Sequence, residues 1–132
     1  MTTPHAGHRL RLRVMAGRFA LCRLQPQAAV PAWASGDGFV CVTRTAEELS
    51  VICPEGRVPS DVRQIRGYVA IGVDGPLAPE LVGVLASMAT PLAEASIPIV
   101  AVGTFDTDYV LVRAIDLDRA TTALRAAGHS IS

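Results

Sequence analysis

The sequence predicts an α+β fold: two tandem copies of a ferredoxin-like βαββαβ sandwich, the first with a truncated helix. Three observations predict it. From Tyr68 onward, runs of period two and period 3.6 succeed one another as strand, helix, strand, strand, helix, strand, the order of an antiparallel sheet with two helices on one face. The stretch FVCVTRTAEELSVIC (39–53) lies over IVAVGTFDTDYVLVR (99–113) at an offset of 60, and ALCRLQP (20–26) lies over AIGVDGP (70–76) at an offset of 50. The difference of ten residues leaves the first copy short of about 15 Å of helix, at ~1.5 Å rise per residue.

Each element follows from local pattern. MTTPHAGH (1–8) has no periodicity and reads as a mobile tail. His5 and His8 have an H-x-x-H spacing, which gathers a metal only on a helix, and Pro4 and Gly7 argue against one. RLRLRV (9–14) alternates Arg with Leu or Val and reads as a strand with one wet face, the solvated face of an edge strand rather than an anion patch. RFALCRLQ (18–25) is the second strand. Turn formers fill 26–38, FVCVTRT (39–45) is a strand, 46–48 a turn, and LSVICP (49–54) the returning strand. Residues 55–67 read as loop with one or two helical turns after Pro59.

YVAIGVDGP (68–76) is a strand ending in a turn. In 78–95 the apolar positions 81, 82, 84, 85, 88, 89 and 92 have helical spacing, with Pro91 inside as a kink or local irregularity. IPIVAVGT (97–104) is a buried strand and DYVLVR (108–113) its hairpin partner. Asp116 suits the N-cap of a helix over 117–127, Gly128 suits the left-handed position beyond its end, and HSIS (129–132) adds a last short strand. The domain plan is a tail (1–8), a degenerate half (9–66) and a complete half (67–132).

Composition excludes several classes of function. With 12 Lys+Arg against 12 Asp+Glu the formal net charge is zero, which argues against a nucleic-acid partner. Every basic residue is Arg, so lysine Schiff bases, P-loop lysines and lysine general bases are ruled out. Cys22, Cys41 and Cys53 are odd in number, form no C-x-x-C pair and sit in apolar runs, so they read as small buried hydrophobes in a reducing compartment. Arginines interrupt any signal-peptide core, and no apolar stretch approaches the ~18 residues of a membrane span, so a cytoplasmic location and no membrane partner are expected. Only His129 lies in the folded part. An enzyme using Cys41 or Asp108 with it lacks any supporting motif, so no catalysis, metal or cofactor is expected.

The repeat locates a candidate site. On the offset of 60, Ala46 stands where Asp106 does, so the first copy lacks both the helix and one charge that the second keeps. In a βαββαβ unit the start of the first helix and the turn of the hairpin lie at one end. The helix start offers unpaired N–H groups and partial positive charge, Gly83 leaves backbone accessible, and the turn offers Asp106 and Asp108. A free amino acid is complementary: its carboxylate suits the helix start and its ammonium the aspartates. Plainer readings stand beside this one. The aspartates serve as turn formers that bond nearby amides, Gly83 as a packing contact, Thr104 as a strand end, Glu80 as a first-turn residue favouring the dipole, and Trp33 and Phe105 as packing residues.

The segment GPLAPELVGVLASMATPLAEASIPIVAVGTFDTDYVLV (75–112) resembles the core of an ACT domain, a βαββαβ module that binds amino acids. With VTRTAEELSVICPE (42–55) ahead of it, the chain resembles small bacterial proteins of two tandem ACT-like halves. These are similar to the eukaryotic cytosolic arginine sensors and, more distantly, to the regulatory modules of aspartate kinases. The resemblance covers nearly everything after about Arg18. It implies a ligand held at an interface between ACT units, commonly across a dimer whose sheets join side by side. By position, Val82, Gly83 and Val84 match the helix-start segment that meets the ligand's α-groups, and Thr104, Phe105, Asp106 and Asp108 match the hairpin segment. One departure is EASIP, with Ser96 and Pro98 where the family favours EAGI; it is expected to alter the helix exit and leave the pocket alone. The expected function is a non-catalytic regulatory or sensor protein that binds a free amino acid as a homodimer. The alternative is a ligand-free interaction module serving as a subunit of a partner enzyme or regulator.

Overall fold

The computed structural model describes residues 7–132. Of the expected tail, 1–6 lie outside the described residues, His5 among them. The chain divides into two compact units, Gly17–Tyr68 and residues 7–16 with 69–132. Among the described residues no helix is long and apolar enough to cross a membrane.

The first unit contains β2 (Phe19–Leu24), β3 (Cys41–Arg44), β4 (Leu49–Pro54) and the opening residues of β5 (Arg63–Val73). They lie in the order β3, β4, β2, β5, every pair antiparallel. Where a βαββαβ unit has helices, this one has single 3-10 turns at Ala32–Ala34 and Glu55–Arg57. The expected helical stub is therefore present, and the second helix is reduced as well. No helix follows Pro59: Val62 N–H closes one turn on Pro59 O at 3.2 Å, and β5 begins at the next residue. Cys22, Leu49, Val51 and Cys53 bury one face of the sheet against Ala34 and Val58, with Trp33 packed at the margin. Arg57 bonds the carbonyls of Ser35 and Asp37, fastening the loop that stands in for the lost helix.

The second unit adds β1 (Arg11–Val14), the later residues of β5, α1 (Val84–Glu94), β6 (Val100–Gly103), β7 (Asp108–Arg113), α2 (Leu117–Ala126) and β8 (Ser130–Ile131). The strand order is β6, β7, β5, β1, β8. Alternation in β1 is as read: Leu10 and Leu12 are buried while Arg9, Arg11 and Arg13 are exposed. Its position is not at an edge, however. β1 lies antiparallel to β5, Leu12 opposite Val73, and parallel to the two-residue β8, Leu12 opposite Ile131. It thereby groups with residues 69–132. The core sets Leu10, Leu12, Ile71, Val73, Val110 and Val112 of the sheet against Val84, Met88 and Leu92 of α1 and Ala120 and Leu124 of α2. Burial of each large side chain in this layer stabilises the unit by about 1.5–3 kcal/mol.

The two hairpins match, but one residue out of the expected register. Arg44 pairs with Leu49, and Gly103 pairs with Asp108. The structural offset is therefore 103 − 44 = 59, not 60. The turns share two hydrogen bonds: Thr45 N–H donates to Glu48 O and Thr104 N–H to Thr107 O, both at 2.9 Å. Glu48 N–H donates to Thr45 Oγ1 and Thr107 N–H to Thr104 Oγ1, both at 3.2 Å. On this register Val51 and Cys53 coincide with Val110 and Val112, which face their cores. An offset of 60 would turn every side chain to the opposite face. Glu47, not Ala46, then stands where Asp106 does, so the first copy has kept an acidic residue there.

Pro91 inside α1 has a specific consequence. It has no N–H, so the Ser87 carbonyl loses its helical donor. His129, buried in the core, supplies one: its Nε2–H donates to Ser87 O at 2.8 Å, and its Nδ1 accepts from Leu10 N–H at 3.0 Å. One neutral imidazole thus completes the helix and fixes the entry of β1.

Both helices close alike. Gly128 takes φ 101° after α2 while His129 N–H reaches Leu124 O at 3.1 Å; Ser96 takes φ 59° after α1 while Ile97 N–H reaches Leu92 O at 2.9 Å. At position 96, where the resemblance leads to an expectation of Gly, Ser takes this left-handed φ. At the start of α2, Asp116 makes no side-chain cap; its carboxylate pairs with Arg119 at 3.0 Å instead.

Removing His129 as His129→Leu should cost about 2–3 kcal/mol, because a buried donor and a buried acceptor lose their partner. In a Pro91→Ala background, where residue 91 regains an N–H, that cost should fall by about 1 kcal/mol. Urea unfolding of the four proteins measures the coupling; strict additivity would contradict the assignment. Ser96→Gly should raise stability by about 0.5–1 kcal/mol, since a side chain in the left-handed region is disfavoured; unfolding in urea reads this as well.

Candidate functional site

The chain after β5 and the turn between β6 and β7 meet at one end of the second unit. Thr107 Oγ1–H donates to Val73 O at 2.6 Å, and Leu77 N–H donates to Asp106 O at 2.7 Å. Gly75 allows the approach: a Cβ there would come within 3.0 Å of Asp106 O and 3.2 Å of the Thr107 Cβ. Two hydrogen bonds and one absent side chain therefore hold the turn against the loop.

A cavity of about 260 Å³ lies between them, lined by Leu77, Ala78, Pro79, Leu81 and Val84 on one side and residues 104–108 on the other. Of the seven candidate residues, Val84, Thr104, Phe105, Asp106 and Asp108 line it. Val82 and Gly83 do not: Val82 is 71% exposed, and Gly83 is the N-cap of α1 at φ 84° and ψ 10°. The helix begins at Val84 rather than at residue 78, so the first six residues of the expected helix form a turn beside the cavity. Val84, Leu85 and Ala86 present N–H groups with no partner among the described residues, the donors a helix start leaves open.

The aspartates are not bonded within their own turn. Thr104 does that work, accepting from Thr107 N–H and donating to Thr107 O. Neither the Asp106 nor the Asp108 carboxylate has a hydrogen-bond or ion-pair partner among the described residues. Phe105, expected among packing residues, is 95% exposed at the tip of the turn. Leu77 and Thr107 were missed by sequence reasoning. Thr107 lay between the two aspartates that drew attention, and Leu77 contributes through its backbone, which has no sequence signal.

The remaining reactive groups are accounted for structurally. Both ring nitrogens of His129 are engaged in the core. Burial, with Cys53 adding to it, pushes the Cys22 thiol up to about 11, and burial raises Cys41 and Cys53 too, so none is set up as a thiolate. Among the described residues no three His, Cys, Asp or Glu side chains are grouped to hold a metal ion.

Comparison with known proteins bears on the family and the fold. A family model described as an ACT domain matches residues 64–126, and a model of an N-terminal domain matches residues 17–61. An Agrobacterium tumefaciens protein solved by X-ray crystallography is 41% identical over 95% of this chain and 93% of its own, with a TM-score of 0.90. A Vibrio cholerae protein, titled a possible transport protein of unknown function, is 19% identical over 90% of each chain, with a TM-score of 0.72. The ligand-free regulatory subunit of Thermus thermophilus aspartate kinase is 11% identical over 89% of this chain and 93% of its own, with a TM-score of 0.59. A comparison with curated proteins finds no match.

Proposed function

The chain belongs to the ACT-domain family, and we propose that it is a non-catalytic regulatory protein that binds a free amino acid in the cavity between the start of α1 and the turn of residues 104–108. One observation carries the reading. Two carboxylates without partners among the described residues line the same cavity as Val84, where α1 opens with amides unpaired among those residues. Acceptors on one wall and donors on the other are the complement of an α-ammonium and an α-carboxylate. The carboxylate takes the amides of the helix start, and Asp106 and Asp108 take the ammonium.

The lining of the cavity carries exposed apolar side chains: Phe105 is 95% and Leu81 45% exposed. Such a rim supports completion of the site by a second copy of the chain, burying the ligand at an interface between ACT units. That one structural neighbour is the regulatory subunit of an aspartate kinase supports a regulatory role and leaves open a partner enzyme. A cytoplasmic location is part of the proposal.

Thermal shift followed by calorimetry against the twenty amino acids tests it. At least one should raise the melting temperature, the stabilisation reaching about 2.7 kcal/mol at 100 times Kd. Asp106→Ala and Asp108→Ala should each weaken that binding by roughly tenfold or more, as loss of a charge-assisted bond does. No response to any amino acid at millimolar concentration, or unaltered binding by both variants, would contradict the proposal.

A further inference from the structure

Helix α1 begins six residues later than its hydrophobic spacing predicts, at Val84 rather than residue 78. Two groups hold it there. Gly83, at φ 84°, takes the left-handed conformation, so the right-handed helical path stops short of the Val82 carbonyl. His8 captures that carbonyl: its Nε2–H donates to Val82 O at 2.8 Å, while its backbone N–H donates to Ser87 Oγ at 2.9 Å. The Ser87 hydroxyl donates in turn to Gly83 O at 2.8 Å. Residues 7 and 8 thus lie as a strap across the beginning of the helix.

In a longer helix Val82 O would accept from Ala86 N–H. Here that amide is unpaired among the described residues, like those of Val84 and Leu85. The sequence just ahead of Val84 suits a helix: Pro79 fits a first helical position, and Leu81 would stack one turn from Val84 and Leu85. Instead Leu81 is 45% and Val82 71% exposed. Local pattern and tertiary tie thus pull the same residues in opposite directions, which is the condition for a two-state element. Gly83 in a helix interior opposes the extension, and the gained amide bonds favour it, so loss of the strap shifts the balance.

We infer that His8 is a positioning residue whose strap keeps α1 short and the amides of Val84, Leu85 and Ala86 open, and that its release lets the helix extend toward Pro79 and consume them. The conformational step belongs to the chain without ligand. That the open amides receive an amino-acid carboxylate rests on the reading of the preceding section.

Amide hydrogen exchange read by NMR, on the full chain with no amino acid added, tests the step in wild type, His8→Ala and Gly83→Ala. Ala86 N–H should exchange roughly two- to tenfold more slowly in both variants, the range that one net amide hydrogen bond gives. Loss of a merely structural tie would speed exchange at the same position. Unchanged or faster exchange at Ala86 in either variant overturns the inference. Because no ligand is present, slower exchange in a protein that binds no amino acid would remove the binding reading alone.

Discussion

The second unit depends on one carbonyl. Pro91 denies Ser87 its helical hydrogen bond, and an orphan acceptor in the core costs about 1–3 kcal/mol. His129 removes that penalty, and its other nitrogen takes the Leu10 amide. A single side chain therefore ties α1, the end of α2 and the entry of β1 together. Ser87 adds a second tie through its hydroxyl, which holds Gly83 O and receives His8 N–H. The start of α1 is thus set from the core outward, and the cavity inherits its position.

Beside the helix start held in this way, the hairpin turn is placed by Thr107, Gly75 and the Asp106 carbonyl. The division of labour in the turn matters for its chemistry. Thr104 satisfies the backbone, so the two aspartates are not needed to form the turn. The same turn in the first unit is built by Thr45, with Glu47 at the position of Asp106, yet no helix start accompanies it. What distinguishes the second copy is the helix, whose amides supply the opposite charge, rather than the acidic residue itself.

Much of this was legible in the sequence. Element order, the α2 span, the missing helix of the first half and the acidic turn followed from period, turn residues and the repeat. The hairpin register did not, because VIC and VLV are apolar at consecutive positions and give no alternation to penalise a slip of one residue. The place of β1 was hidden because its partners, β5 and β8, lie about sixty and nearly one hundred and twenty residues away, as Leu12 opposite Val73 and Ile131 shows. The start of α1 was misread since apolar spacing continues through Leu81 and Val82, while the residue that stops it, His8, is remote in sequence. The H-x-x-H spacing presents His8 as half of a metal pair, whereas its working group is the N–H it gives to a backbone carbonyl.

The central claim is that helix-start amides and turn carboxylates share one ligand. The most direct measurement is a set of amide NMR spectra recorded while amino acids are titrated into the full chain. Binding should produce saturable shifts at Val84, Leu85 and Ala86 together with residues 104–108. Saturable shifts that avoid either of those two segments would contradict it.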